Sequence, residues 1–418
     1  MLNFFMKRKI LPKLLQDKRG AMSVIIASTL PVFLGGVALA VDVAQWTLAK
    51  RMLQRQADSG ALAGVYGLSQ GADHQASVTR DLALNTSFPL DGPPIIERGP
   101  SVGAYAGDGN AVRVALTTAM RLPFAGLFLP GDVRITAEAT AALIPTGDVC
   151  VLALENTDTA GIFMGGNATV DINCAMVTNS VASNAVNTGG SSTVIASPIV
   201  ASGGIAPASN YAEGTVLLPY ALAQLDPYAY LPDPVIPGGN NQMRVQPNQR
   251  RTYSPGTYTS VDIKGTATLN PGIYYIDGGS FSVGSQANLT ANGVTIILTS
   301  RTAASNPGSV AGVDINGGAT INMTAPSSGT YEGILFYQDR RAPNDSHKIN
   351  GNSASKLQGA LYFPSSTIDL LGTTGMNINC IQLVAWRVGF SGNSTITNVC
   401  PAGSGSKSFA GFAVRLVA

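Results

Sequence analysis

The stretch "RGAMSVIIASTLPVFLGGVALAVDVAQWTLAKRMLQRQADSGALAG", residues 19–64, decides how the rest of the chain is read. From Gly20 to Val41 it offers 22 residues without an ionisable side chain. That is about 33 Å of helix, enough to cross a hydrocarbon core. A cleavable signal usually has a shorter apolar region, so the stretch reads as a permanent anchor, although Ala38-Leu39-Ala40 supplies a cleavage site before Val41. Lys7, Arg8, Lys9, Lys13, Lys18 and Arg19 precede the span and Asp42 follows it, which predicts a cytoplasmic amino terminus and an exported remainder. Within the span, Pro31 predicts a kink and Gly35-Gly36 a close-packing surface for another membrane helix; ordinary tolerance of Pro and Gly in membrane helices accounts for them equally well.

After Asp42 no proline interrupts "VAQWTLAKRMLQRQADSGALAGVYGL", so the helix is expected to continue to about Leu68. Leu48, Met52 or Leu53, and Ala57 recur at helical spacing, opposite Lys50, Arg51, Arg55 and Asp58. Gly60 and Gly64 stand four apart, as do Ala57 and Ala61, a small-residue strip suited to packing on another helix or on the chain's own domain.

The order of Arg19-Gly20 before the span, Leu30-Pro31 within it, Ala40-Val41-Asp42 at its end and Ala57-Asp58-Ser59-Gly60-Ala61-Leu62-Ala63 beyond resembles the amino-terminal segment of TadG-like proteins. These belong to the TadE/TadG group of tight-adherence (Flp) pilus-assembly systems. The resemblance covers about 50 residues strongly and implies a non-catalytic accessory or scaffolding component of the bacterial inner membrane. It would contribute to pilus biogenesis and adhesion, with other membrane components, pilus subunits or envelope glycans as partners. Prepilins and pseudopilins cut after glycine usually carry glutamate five residues on, where this chain has Ile25. That departure argues for the uncleaved, TadG-like branch.

Residues 1–19 thus read as a basic tail, 20–70 as span and exported helix, and 71–145 as a small α+β stalk. In the stalk, "NAVRVALTTAM" and "DVRITAEATAAL" alternate as half-buried strands around the apolar "RLPFAGLFLPG". Beyond Thr146 the texture turns to Asn, Gly, Ser and Thr with short β-branched strands. "GGNATVDINC", "KGTATLNPGIYYIDGG", "GSQANLTANGVTIILTS", "NGGATINMTAPSSGTYEGILFYQ", "GNSASKLQGALYFPSSTIDL" and "GNSTITNVC" are near-repeats of a turn and a strand. Gly272-Ile273-Tyr274-Tyr275, Gly333-Ile334-Leu335-Phe336 and Gly359-Ala360-Leu361-Tyr362 look like equivalent buried strands. Units unable to bury their apolar side alone imply stacking, so 146–418 is expected to be a parallel β-helix (β-solenoid), with a β-sandwich as the alternative. Ala267, Ala287, Ala319 and Ala354 are separated by 20, 32 and 35 residues, which calls for loop insertions, and Pro-rich 203–256 reads as an excursion across the solenoid.

Charged residues are only 12% of the chain and Gly contributes 47 residues, a turn-rich β profile, while 45% apolar content argues against disorder. The net charge of +2 divides into +5 over residues 1–19 and −3 over the rest, which leaves no basic face for nucleic acid. Cys150, Cys174, Cys380 and Cys400 lie beyond the span, and none has CxxC spacing. In an exported domain the simplest pairing is Cys150–Cys174 and Cys380–Cys400, each worth about 3 kcal/mol, though four cysteines allow three connectivities.

No phosphate loop, cofactor motif or metal-ligand spacing is present. A β-helix would raise the alternative of a carbohydrate-active enzyme at the cell surface with paired carboxylates drawn from Asp262, Asp277, Asp314 and Asp369; aspartate is also expected at strand ends. The densest polar cluster, "YQDRRAPNDSHK", holds Asp339, Arg340, Arg341, Asp345 and His347, a ligand loop or simply a solvated charged loop. A third reading is an adhesin released by cleavage after Ala40.

Overall fold

The computed structural model describes residues 21–85, 89–128, 130–172, 174–352, 354–372, 377–392, 395–398 and 409–417. The fold is mainly β with one long apolar helix near the amino terminus. Two units divide it, residues 1–143 with 414–418, and residues 144–413.

In the first unit, α1 spans Ala21–Ser69 without a break, Pro31 included. It stops where Gly71 takes a φ of +68°, a left-handed position that glycine adopts without strain. α2, His74–Leu84, is capped by Asp73, whose carboxylate accepts from Gln75 N at 3.1 Å. β1 (Ile95–Arg98), β2 (Ala111–Met120) and the start of β3 (Val133–Ala153) form an antiparallel sheet in which Ala111 faces Ala142 and Met120 faces Val133. The carboxy-terminal half of α1 buries Ala49, Leu53, Ala57, Ala61 and Val65 against α2 and this sheet. Every fourth residue is therefore inside, the row along which helices pack by ridges and grooves. Leu48 and Met52, apolar and at helical spacing, are instead exposed; the interior row lies one position further along.

In the second unit three parallel ladders wind side by side. The first contains Gly272–Asp277, Val294–Thr299, Ile334–Gln338 and part of Lys356–Gly372; the second contains Asn241–Val245, Ser280–Val283, Gly312–Ile315 and Ser346–Gly351; the third contains Arg250–Tyr253, Thr266–Leu269, Asn288–Ala291 and Thr320–Thr324. Inward side chains align rung over rung. In the second ladder Val245, Ile263, Val283, Ile315, Ile349, Leu370, Phe390 and Met164 stack in register. The near-repeats of turn and strand in the sequence are the corners that lead into the third ladder.

The three equivalent strands beginning at Gly272, Gly333 and Gly359 all lie in the first ladder, which is apolar on both faces. One face points into the core through Tyr274, Ile296, Phe336 and Leu361. The other, through Tyr275, Ile297, Tyr337, Tyr362 and Val384, is covered by a strandless arm at 219–240. Strands sandwiched in this way need no polar alternation, hence runs such as "VTIILT". Strands Asn241–Val245 and Arg250–Tyr253 fall inside the Pro-rich stretch 203–256, so the arm is shorter than that stretch.

The stack does not follow the chain from end to end. Strand Asn377–Gly392 pairs with the end of β3 through Leu383–Val151, Val384–Leu152 and Ala385–Ala153, so the last layer rests on the first. Ala175–Thr178 and Ile199–Ala201 then continue the stack beyond it.

Candidate functional site: the membrane-proximal helix

The apolar stretch of α1 is exposed along most of its length: Met22, Ile25, Val32, Phe33, Leu34 and Leu39 all face outward. A hypothetical Cβ on Gly35 or Gly36 meets nothing within 4 Å, so this small-residue step is open to a neighbouring helix. The small-residue strip further along the helix differs. A Cβ on Gly60 would lie 3.2 Å from Leu82 Cδ2, and one on Gly64 would lie 2.8 Å from both Val112 Cγ1 and Val78 Cγ2. Together with the buried Ala57 and Ala61, these glycines pack on the chain's own unit.

Between the two halves sits Asp42, 5% exposed. Its carboxylate accepts from Phe124 N at 3.1 Å and from Ala125 N, at the start of a short 3-10 turn, Ala125–Leu127. The aspartate that marks the end of the span therefore also fixes the connector between β2 and β3. Nothing local in the sequence signals that bond, which joins residues more than 80 positions apart.

The polar cluster at 339–348 is only partly solvated: Asp339 is fully buried and His347 is 9% exposed, whereas Asp345 and Lys348 are exposed. Asp339 accepts from Thr299 Oγ1 at 2.7 Å and from Arg341 Nε at 2.8 Å. Burial alone would raise its carboxyl; the bonds from Arg341 and Thr299 outweigh this and hold it below the ordinary value. His347 shares a hydrogen bond of 2.8 Å with Gln338 and packs on Phe363, and burial depresses its imidazole against the opposing pull of Asp345. Of the five residues, Asp345 alone is exposed.

Arg340 reaches the arm. Its guanidinium donates to Leu231 O and Tyr362 Oη, each at 2.8 Å, to Tyr337 Oη at 3.0 Å and to Tyr228 O. It also lies over the rings of Tyr337 and Tyr362. Tyr362 Oη in turn donates to Asp226 at 2.6 Å, and burial pushes the Tyr337 hydroxyl up to about 12. Asp226 and Tyr228 carry no sequence signal because their partners lie more than 100 residues away.

The second ladder sets Asp262, Ser282, Asp314, Lys348 and Asp369 in one row, so three of the four candidate carboxylates share a face, two rungs apart. That spacing is about 9.6 Å. Asp262 pairs with Lys264 at 3.2 Å, and Asp369 accepts from Ser346 Oγ at 2.7 Å. Asp277 stands apart, bound to Arg301. Among the described residues no group of three or more His, Cys, Asp or Glu is placed to hold a metal ion.

Cys150 and Cys174 form a disulfide between adjacent layers of the first ladder. Cys400 and the side chain of Cys380 lie outside the described residues.

A long apolar helix, exposed along its apolar half and packed on a small sheet beyond it, fits anchoring in a membrane. Residues 20–73 match the family described as putative Flp pilus-assembly TadE/G-like, so α1 and its cap form a TadE/G-like segment. No curated protein and no solved structure matches the chain.

Proposed function

We propose that this chain is a membrane-anchored, non-catalytic accessory component of Flp-type pilus assembly. Its amino terminus is cytoplasmic, its bulk is exported across the bacterial inner membrane, and its second unit is a β-solenoid offered to pilus subunits or envelope glycans for adhesion. The observation that carries the reading is the TadE/G-like match falling on a helix whose apolar stretch is unburied among the described residues. The basic residues before the span and Asp42 after it support the orientation. Parallel ladders support a solenoid over a sandwich, whose sheets are antiparallel. In this reading Gly35 and Gly36 meet another membrane component, and residues 1–19, 20–70, 71–145 and 146–418 are the working parts.

Two strains test it, one lacking residues 146–418 and one carrying Gly35→Ile with Gly36→Ile. Piliation and surface attachment are expected to fall in both, with the protein still in the membrane fraction. Unchanged piliation in both would end the proposal. A carbohydrate-active reading is favoured only by the Asp262, Asp314 and Asp369 row; single Asp→Asn variants with unaltered polysaccharide turnover would remove that support.

A further inference from the structure

The β2–β3 hairpin lies along α1 in a defined direction. Asp42 binds Phe124 and Ala125, Lys50 donates to Thr136 O, Gln54 donates to Glu138 O at 2.7 Å, and Gly64 faces Val112. Read along the helix, these contacts start at the hairpin turn and end at its open end, where Ala111 faces Ala142. From Asp42 to Gly64 the helix rises about 33 Å. The turn is therefore level with the end of the span, and the open end stands well away from it.

At that turn Leu122 is buried, while Phe124, Leu127 and Phe128 are 39%, 76% and 86% exposed. On α1 at the same level Val41, Val43 and Trp46 are also exposed. Large apolar side chains grouped this way mark a surface meant to be covered. The hydrogen bonds of Asp42 place this group where α1 leaves the hydrocarbon, the level at which aromatic residues meet lipid headgroups.

We propose that the connector is a membrane foot: Leu127 and Phe128 insert among the acyl chains of the bilayer that α1 crosses, with Phe124 and Trp46 at headgroup depth. The foot gives the exported helix a second point of attachment to the lipid, so that its tilt is set by the hairpin and not by the span alone. This rests on α1 being a membrane span, and the test separates the two.

The full chain carrying Trp46→Phe and Trp386→Phe receives a single tryptophan by Phe128→Trp, Leu127→Trp, Phe33→Trp or Val102→Trp. Each is reconstituted in phosphatidylcholine–phosphatidylglycerol vesicles with or without lipid brominated near the carbonyl. Tryptophan at 128 and at 127 is expected to emit at shorter wavelength and to be quenched by the brominated lipid. Val102, in the exposed loop at the open end, is the aqueous reference. Quenching at both 127 and 128 no greater than at 102 overturns the foot, as does a blue shift without quenching, which would mean a protein cover. Phe33 lies within the span, and if it too escapes quenching the membrane reading itself has failed.

Discussion

Replacing Arg340 with methionine should release the arm from the first ladder without unfolding the second unit. Methionine keeps the bulk of the side-chain stem and removes only the charge and its donors. The loss is large because two arm carbonyls, Tyr228 O and Leu231 O, and two ladder hydroxyls, on Tyr337 and Tyr362, all take hydrogen bonds from this one guanidinium. A hydrogen bond to a charged donor is worth about 1.5–3 kcal/mol, and the cation–π contact adds about 0.5–1 kcal/mol. Such terms do not add in full, because the freed carbonyls find water once the arm lifts; a net cost of about 3 kcal/mol to arm closure is reasonable.

At about 1.4 kcal/mol per decade, this raises the open fraction of the arm about a hundredfold. The arm keeps other holds: Tyr362 on Asp226, and Asn179 with Gln224 in both directions at 2.8 and 2.7 Å. Opening therefore stays local. Hydrogen exchange at the amides of Tyr228 and Leu231, each internally bonded, reads it directly. Arg341→Met is the control, since Arg341 bonds within its own loop to Asp339. Exchange in Arg340→Met that rises less than about threefold, or no more than in Arg341→Met, would refute the account of Arg340 as the main clasp of the arm.

His347→Gln is expected to flatten the pH dependence of thermal stability between pH 7.5 and 5.5. The folded state holds this imidazole below its ordinary value, so the unfolded chain takes up the proton first as pH falls through about 6.5, and the native chain loses stability that it had above that pH. An unchanged slope would contradict this. Arg387→Met leaves the fully buried Glu155 without the guanidinium 2.6 Å away and should cost about 3–5 kcal/mol, read as a lowered denaturant midpoint; a loss under about 1 kcal/mol would show that Thr157 alone suffices. Cys150→Ser with Cys174→Ser removes a bridge of sequence separation 24 and should cost about 3 kcal/mol, matched by the wild type under reduction. Gly64→Val should cost about 1–3 kcal/mol by overpacking against Val112 and Val78, whereas Gly35→Ala should leave melting in detergent unchanged.

The parts legible in the sequence were those whose partners repeat or lie nearby. The span, its continuation beyond Asp42 and the turn–strand repeats each declare themselves within a few residues, because a helix period or a rung-over-rung stack imposes the same residue types again and again. On the inner face of α1 the helical spacing fits Leu53 and Ala57 but not Leu48 and Met52, because the buried row mixes Ala49, Ala57 and Ala61 with Leu53 and Val65 and side-chain size does not mark burial there. The charges at 339–341 looked solvated because a carboxylate and two guanidiniums in a loop usually are. What buries them is the arm and the neighbouring layer, supplied from 40 to 112 positions away.

The order of the layers carries a consequence for folding. In a solenoid wound from one chain end to the other, each layer can add to its predecessor as it is made. Here the layer at 151–171 finds its lower neighbour only in the strands of 383–398, more than 200 residues later. Until then the layers at 151–201 have one stacking face open. The arm that leaves them must meanwhile reach residues 239–257 at the far end, where Arg301 donates to Gly239 O at 2.9 Å and Thr257 donates to Pro237 O at 3.0 Å. Long-range closure of this kind raises contact order and makes completion of the last layer the step that unites both halves. Substitutions along the 383–398 seam, such as Leu383→Ala against Val151, should therefore slow folding of the whole second unit. The same loss at Val245, on an end layer, should mainly speed local opening. If refolding rates respond equally to the two, the layers add independently and the seam has no special place in assembly.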